Sequence, residues 1–75
     1  MEKLKWEKSD VAGWTDGEGA DWDRVSYKYF EHRNYWAVIG LTKKAIHLNP
    51  AEYNEEQVRE YIQTMYNIRG QDDDS

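Results

Sequence analysis

The clearest pattern along the chain is the spacing of apolar residues after Asn54. Apolar side chains recur there at intervals of three and four, which places them on one face of an α-helix. Asn54 is a suitable N-cap with Gln57 in the capping-box position, and Gly70 is a suitable C-terminal stop. The sequence therefore predicts an amphipathic helix from Asn54 to Arg69. Its apolar face consists of Val58, Tyr61, Ile62, Met65 and Ile68.

Upstream of Pro50 the apolar residues follow a period of two, which is typical of strands with one buried face. Residues 3–7, 25–29 and 35–41 show this alternation, and residues 43–48 are a candidate fourth strand. The polar segment between the second and third runs is suited to a hairpin turn. The glycine-rich segment 9–23 predicts a loop or a loose hairpin.

Together these elements predict a two-layer α+β fold, with an antiparallel sheet of three or four strands and one C-terminal helix packed on one face. The alternation directs residues such as Tyr27 and Tyr29 toward the helix and leaves a basic outward face with one or two aromatic rings. The run 35–41 is apolar on both faces, which indicates a central strand and leaves its register open. We expect one domain over residues 1–70 and a disordered acidic tail over 71–75.

The chain is short and rich in aromatic residues. Among 75 residues there are four Trp, six Tyr and one Phe, which supply apolar area for a small core and candidates for exposed binding residues. There is no cysteine, and no apolar run approaches the roughly 20 residues of a membrane span. These features favour a soluble, cytoplasmic protein.

Charge is distributed unevenly along the sequence. Residues 9–23 contain five acids and no base, residues 24–48 contain five bases and one acid, and residues 49–75 contain seven acids and two bases. The formal net charge is -5. Segregated charge produces dipolar surfaces that steer encounters with charged macromolecules, so this pattern indicates a binding module.

No arrangement of residues predicts catalysis, a metal site or a cofactor site. A calcium loop of the EF-hand type starting at Asp16 would have Ala20 and Tyr27 where that motif needs an acid and a glutamate. His32 and His47 lack the spacing of zinc ligands, and no serine lies in a nucleophile motif. We therefore expect a protein that is not an enzyme and holds no metal or cofactor.

Two tryptophans in the acidic loop suggest a site for a protein partner. Aromatic anchors beside carboxylates suit an interface with an apolar centre and a charged rim, although either tryptophan could instead close the edge of the core. We expect the partner to present a basic surface or cleft. The candidate residues on this acidic side are Trp14, Asp16, Glu18, Asp21, Trp22 and Asp23.

A protein of this kind would act as a small acidic inhibitor or adaptor on a nucleic-acid-handling protein. Phage-encoded antagonists of host defence or transcription, and partial nucleic-acid mimics, are often of this size and composition. The similarity is one of general type, and no sequence motif carries it.

The alternative is a nucleic-acid-binding module that uses the basic, aromatic sheet face. Bases and rings are interleaved from Tyr27 to Trp36, a mixture suited to single-stranded nucleic acid. A three-stranded sheet followed by a helix is also similar, in topology alone, to the sheet-reading DNA-binding domains of some plant transcription factors and phage-type integrases. The acids elsewhere in the chain would repel a polyanion, which weighs against this alternative. Its candidate residues are Arg24, Lys28, Arg33, Trp36 and Lys43.

Overall fold

The computed structural model describes residues 3–19 and 23–73, which form a five-stranded sheet and one helix. The strands follow one another across the sheet in chain order, and each pairs antiparallel with its neighbour. The helix packs on one face of the sheet, so the predicted α+β fold is confirmed. The elements are β1 (Lys5–Lys8), β2 (Thr15–Glu18), β3 (Arg24–Phe30), β4 (Tyr35–Ile39), β5 (Ile46–Leu48) and α1 (Glu55–Asp73).

The strand count is one higher than the predicted upper limit because β2 forms within the segment 9–23. β1 and β2 make a hairpin in which Ser9 N donates a hydrogen bond to the Trp14 carbonyl oxygen at 3.1 Å. Gly17 of β2 lies opposite Trp6, and a Cβ at Gly17 would come within 2.6 Å of the indole ring. The glycine therefore allows the Trp6 ring to lie against the β2 backbone.

The start of α1 confirms the predicted capping box. Asn54 N donates to Gln57 Oε1 at 2.9 Å, and Gln57 N donates to Asn54 Oδ1 at 2.8 Å. These reciprocal bonds satisfy two backbone N–H groups at the helix start. Glu55 and Glu56 occupy the first turn, where the helix dipole favours acids.

The end of α1 differs from the prediction. The helix continues through Asp73 and does not stop at Gly70. Glycine lowers the stability of a helix interior by only about 1 kcal/mol relative to alanine, and no proline follows it here. The helix thus includes residues 71–73, and residues 74 and 75 lie outside the described part of the chain. The disordered tail over 71–75 stays a prediction. The assignment of 1–70 to a single domain stays a prediction.

The core lies between α1 and the inner face of the sheet. Trp36 and Val38 of β4 face the helix, which settles the register that the sequence left open. Ala37 and Ile39 consequently lie on the opposite face. The buried residues that form the core cluster are Leu4, Val25, Tyr27, Val38, Leu41, Leu48, Val58, Ile62 and Tyr66.

Two residues predicted to face the core are substantially exposed. Tyr29 is 38% exposed because it lies at the end of the β3–β4 hairpin, where its ring rests on Trp36 with 5.1 Å between centroids. Ile68 is 45% exposed, and Tyr66 takes the buried position instead. Tyr66 follows Ile62 by four residues, which keeps it on the same face of the helix.

A hydrogen-bonded cluster joins the helix to the centre of the sheet. Arg59 Nε donates to the Tyr27 hydroxyl at 2.6 Å, and that hydroxyl donates to Glu55 Oε2 at 2.8 Å. Tyr27 is only 2% exposed. Burial raises the pKa of Tyr27 above its ordinary value, the bond from Arg59 opposes this shift, and the bond to Glu55 adds to it.

We predict that Ile62→Ala lowers the free energy of unfolding by about 2–5 kcal/mol, because Ile62 has no exposed surface and the change leaves a cavity. Ile68→Ala on the same helix is the matched control, with an expected change within about 0.5 kcal/mol because Ile68 is exposed. Urea denaturation followed by circular dichroism measures both. Equal effects of the two substitutions would contradict the described helix face.

The raised pKa of Tyr27 predicts a loss of stability at alkaline pH. The unfolded chain releases the tyrosine proton near pH 10.0, whereas the folded protein retains it to higher pH. The stability that Tyr27 contributes is therefore complete below pH 10.0 and is lost as the pH rises from there through the higher pKa of the folded protein. The difference in unfolding free energy between the wild type and Tyr27→Phe should shrink over this range. Other ionising groups are common to both proteins, so a difference that stays constant with pH would contradict the prediction.

Candidate interaction surface

The sheet face opposite the helix is not covered by another layer of the described structure. The cross-strand register aligns its side chains in rows that run perpendicular to the strands. Charged residues occupy the rows near the start of β3, and aromatic residues occupy the rows near its end. This surface, called the outer face here, consists of Lys5, Glu7, Asp16, Glu18, Arg24, Ser26, Lys28, Phe30, Tyr35, Ala37, Ile39 and His47.

Four rings form a continuous strip at one end of the outer face. The Trp14 centroid lies 5.9 Å from Phe30, Phe30 lies 5.5 Å from Tyr35, and Tyr35 lies 4.3 Å from His47. We call these four residues the aromatic row. Lys28 Nζ lies 4.9 Å from the Phe30 centroid, within the range of a cation–π contact. The aromatic row thus supplies apolar area, and Lys28 places a positive charge beside it.

The other end of the outer face carries charges of both signs. Lys5 lies opposite Glu18, which in turn lies opposite Arg24. Arg24 Nη2 is 3.5 Å from Glu18 Oε1, and Arg24 Nη1 is 4.0 Å from Asp16 Oδ2. The predicted basic face is therefore wrong. Because the acidic segment folds into β2, its alternation brings Asp16 and Glu18 onto the same face as Arg24.

Asp16 is integrated into the sheet and is not an exposed acid of a loop. The residue is 7% exposed, and its Oδ1 accepts a hydrogen bond from Ser26 Oγ on β3 at 2.5 Å. A short bond of this kind to a carboxylate is among the stronger hydrogen bonds in proteins. The carboxylate therefore connects β2 to β3.

The residues predicted for the acidic side do not form one group. Trp14 joins the aromatic row, whereas Asp16 and Glu18 pair with Arg24. Asp23 Oδ2 accepts a hydrogen bond of 3.4 Å from the Tyr66 hydroxyl, which connects the end of the β2–β3 loop to the helix. The two remaining residues, Asp21 and Trp22, lie outside the described residues.

The residues predicted for a nucleic-acid face are also separated. Arg24 and Lys28 lie on the outer face. Trp36 lies on the helix side, where its Nε1 donates to the Tyr53 carbonyl oxygen at 3.0 Å. Arg33 follows the end of β3, whereas Lys43 follows β4 at the opposite end of the sheet. Only two of the five predicted residues therefore belong to one surface.

Sequence reasoning did not select Phe30, Tyr35 and His47 as site residues. Alternation could have identified Phe30, which shares its parity with Lys28 in β3. The pairing of Phe30 with Tyr35 across the hairpin and of His47 with Ala37 depends on the register. That register was open in the sequence, so the aromatic row was visible only in the fold.

No protein-family model, no curated protein and no solved structure matches this chain. Within residues 3–19 and 23–73, no helix is long and apolar enough to span a membrane. The same part of the chain contains no group of three or more His, Asp or Glu side chains that could hold a metal ion. The functional interpretation therefore depends on the geometry of the outer face.

We predict that Asp16→Asn destabilises the sheet by about 1–3 kcal/mol, because it weakens a charge-assisted hydrogen bond at a buried position. Glu18→Gln is the matched control in the same strand, since Glu18 also faces Arg24 but its side chain is 46% exposed. We expect that control to cost less than about 1 kcal/mol. Urea unfolding of both variants at neutral pH measures the difference, and equal costs would contradict the structural role of Asp16.

Proposed function

We propose that this chain is a small non-catalytic module that binds another protein through the outer face. The observation that carries the proposal is the aromatic row, which remains partly accessible and lies beside charges of both signs. Protein interfaces typically place aromatic anchors at the centre and charged residues at the rim. The outer face has these two components side by side on one sheet.

The aromatic row is suited to serve as the anchor. Phe30, Tyr35 and His47 belong to strands β3, β4 and β5, so a regular backbone positions each ring. Each ring also contacts its neighbour, which restricts the side-chain rotamers before a partner arrives. Binding then orders few additional side chains, and the entropic cost of association is reduced.

The charges favour a protein partner over a polyanion at this face. Three bases and three acids share the outer face, so it lacks the excess of positive charge that phosphate binding requires. The whole chain carries a net charge of -5, which favours encounters with a partner that has a basic surface or cleft.

We infer that the partner handles nucleic acid and that the chain acts on it as an inhibitor or adaptor, in the manner of phage-type antagonists. Proteins that handle nucleic acid carry basic clefts, which attract an acidic chain electrostatically. A role as a partial nucleic-acid mimic has less support, because Asp16 and Glu18 are already paired with Arg24.

Binding of single-stranded nucleic acid is the second candidate function. The observation in its favour is the position of Lys28 over Phe30, next to the stacked Tyr35 and His47 rings. Bases stack on such rings while a cation holds the phosphate. The carboxylates of Glu7, Asp16 and Glu18 on the same face oppose this function.

The proposal predicts a partner whose capture depends on the aromatic row. Tagged wild type, a Phe30→Thr/Tyr35→Thr double variant and a Tyr29→Thr control would be used to capture proteins from cells of the source organism, with quantitative mass spectrometry. Threonine retains strand propensity, and Tyr29 is an exposed ring of the same hairpin on the opposite sheet face. At least one protein should be lost with the double variant and retained with the control.

Titration of fluorescent single-stranded oligonucleotides with the wild type and Lys28→Glu separates the two candidates. Oligonucleotide binding that Lys28→Glu abolishes would favour the second candidate and contradict the first. Capture profiles that are identical for the double variant and the wild type would also contradict the protein-binding proposal, provided that circular dichroism shows both to be folded.

A further inference from the structure

A groove on the flank of α1 is independent of the outer face. Its volume is about 330 Å³, and it opens to solvent between the start of the helix and its third turn. The lining positions on the helix follow a spacing of three and four residues, so they form one continuous stripe. The groove is lined by Tyr53, Gln57, Glu60, Tyr61, Thr64 and Met65.

Two tyrosine rings form adjoining walls of this groove. The Tyr53 and Tyr61 centroids are 5.9 Å apart, and the ring planes meet at 81°. Both rings line the groove, and their planes are nearly perpendicular to each other. Neighbouring aromatic side chains that line a pocket recognise alkylated ammonium groups through cation–π contacts.

The walls are fixed before any ligand binds. Tyr53, Tyr61 and Met65 all pack partly against the core. The backbone of Tyr53 is held at both ends, since its N donates to the Asn49 carbonyl oxygen at 3.0 Å and its carbonyl oxygen accepts from Trp36 Nε1 at 3.0 Å. Because these contacts already order the rings, binding of a ligand would not lose the conformational entropy of ordering them.

The charge around the groove suits a cation. Glu60 lines the groove and is exposed, and none of the residues that line it is basic. The side chain of Arg59, which precedes Glu60, does not line the groove. Its guanidinium donates hydrogen bonds to Tyr27 and Glu55 and lies 5.7 Å from the Trp6 ring centroid. A cation in the groove would therefore lie beside two aromatic rings and one carboxylate. None of the residues that line the groove carries a positive charge that would repel it.

We propose that the groove binds an alkylated ammonium group, such as the side chain of a trimethylated lysine. The two rings contact the methyl groups, and Glu60 supplies the opposite charge. The thioether of Met65 forms an apolar floor that accommodates the methyl groups without competing for hydrogen bonds. This inference does not depend on the outer face or on the proposed function.

The test is a titration of the 15N-labelled protein with small probes, followed by NMR. The probes are N-acetyl-trimethyllysine methylamide, its unmethylated lysine counterpart, choline, and the neutral tert-butyl analogue of choline. We expect shifts centred on residues 53–65, with trimethyllysine binding about tenfold tighter than lysine and choline binding about tenfold tighter than its neutral analogue. Equal affinity for choline and its neutral analogue would overturn the proposal, because apolar contact alone would then explain binding.

The choline arm distinguishes the source of the ammonium group. Tighter binding of the trimethyllysine probe than of choline would support a modified protein as the source. Equal affinities for the two would support recognition of the ammonium head alone, as in a lipid headgroup or a small metabolite. An absence of shifts in residues 53–65 with either probe would overturn the proposal.

Matched variants assign the binding to the groove. Tyr61→Phe should retain affinity because it keeps the π-face, whereas Tyr61→Leu should weaken binding about tenfold. Tyr53→Leu provides the same test at the second wall if Tyr61→Leu fails to fold. Glu60→Gln should weaken binding several-fold, in contrast to Glu56→Gln, which changes an exposed acid one turn away that does not line the groove. If the two amide substitutions weakened binding equally, the acids would act only by long-range attraction of the cation, and the site would be overturned.

Discussion

The packing of one helix face on one sheet face is the interaction on which the rest of this structure depends. Val58 and Ile62 have no exposed surface, and they share one core cluster with Val25 of β3 and Val38 of β4. The chain has no cysteine, so no disulfide supplements this contact. For a chain of 75 residues a single core of this size is only marginally sufficient, and the aromatic rings of Trp6, Tyr27 and Trp36 enlarge it.

A single helix covers one face of a five-stranded sheet and leaves the other face open. The open face of an antiparallel sheet normally carries polar residues. Here Tyr35 contacts both Phe30 and His47, and the fold leaves Phe30 and Tyr35 half-buried and His47 exposed. A continuous strip of rings that remains partly accessible suits a role in recognition.

Strand pairing brings acids and bases that are separate in the sequence close together in the fold. Along the sequence the acids of residues 9–23 are separate from the bases that follow them. In the fold, β2 and β3 are neighbours, and Arg24 lies close to both Asp16 and Glu18. Two of the five acids of residues 9–23 are therefore paired with a base within the sheet. Exposed acids also lie on the helix, at Glu55, Glu56 and Glu60, and Glu60 lines the groove with Tyr53 and Tyr61.

The sequence by itself determined the elements whose signals are local. The 3.6-residue period predicted the helix, the Asn54–Gln57 box predicted its start, and alternation predicted the inward side of β3 at Val25 and Tyr27. These features depend on residues within a few positions of one another. The α+β class followed from the order of the elements.

Only the tertiary structure decided the features that depend on pairing between distant residues. The formation of β2 depends on its two neighbouring strands and on the space for the Trp6 ring beside Gly17. Which side chains of β4 face the helix depends on the register of β4 with β3 and β5. The aromatic row and the pairing of Asp16 with Ser26 and Arg24 follow from the same register. A shift of one residue moves every side chain of a strand to the other face, so hydrophobic pattern alone could not place these groups.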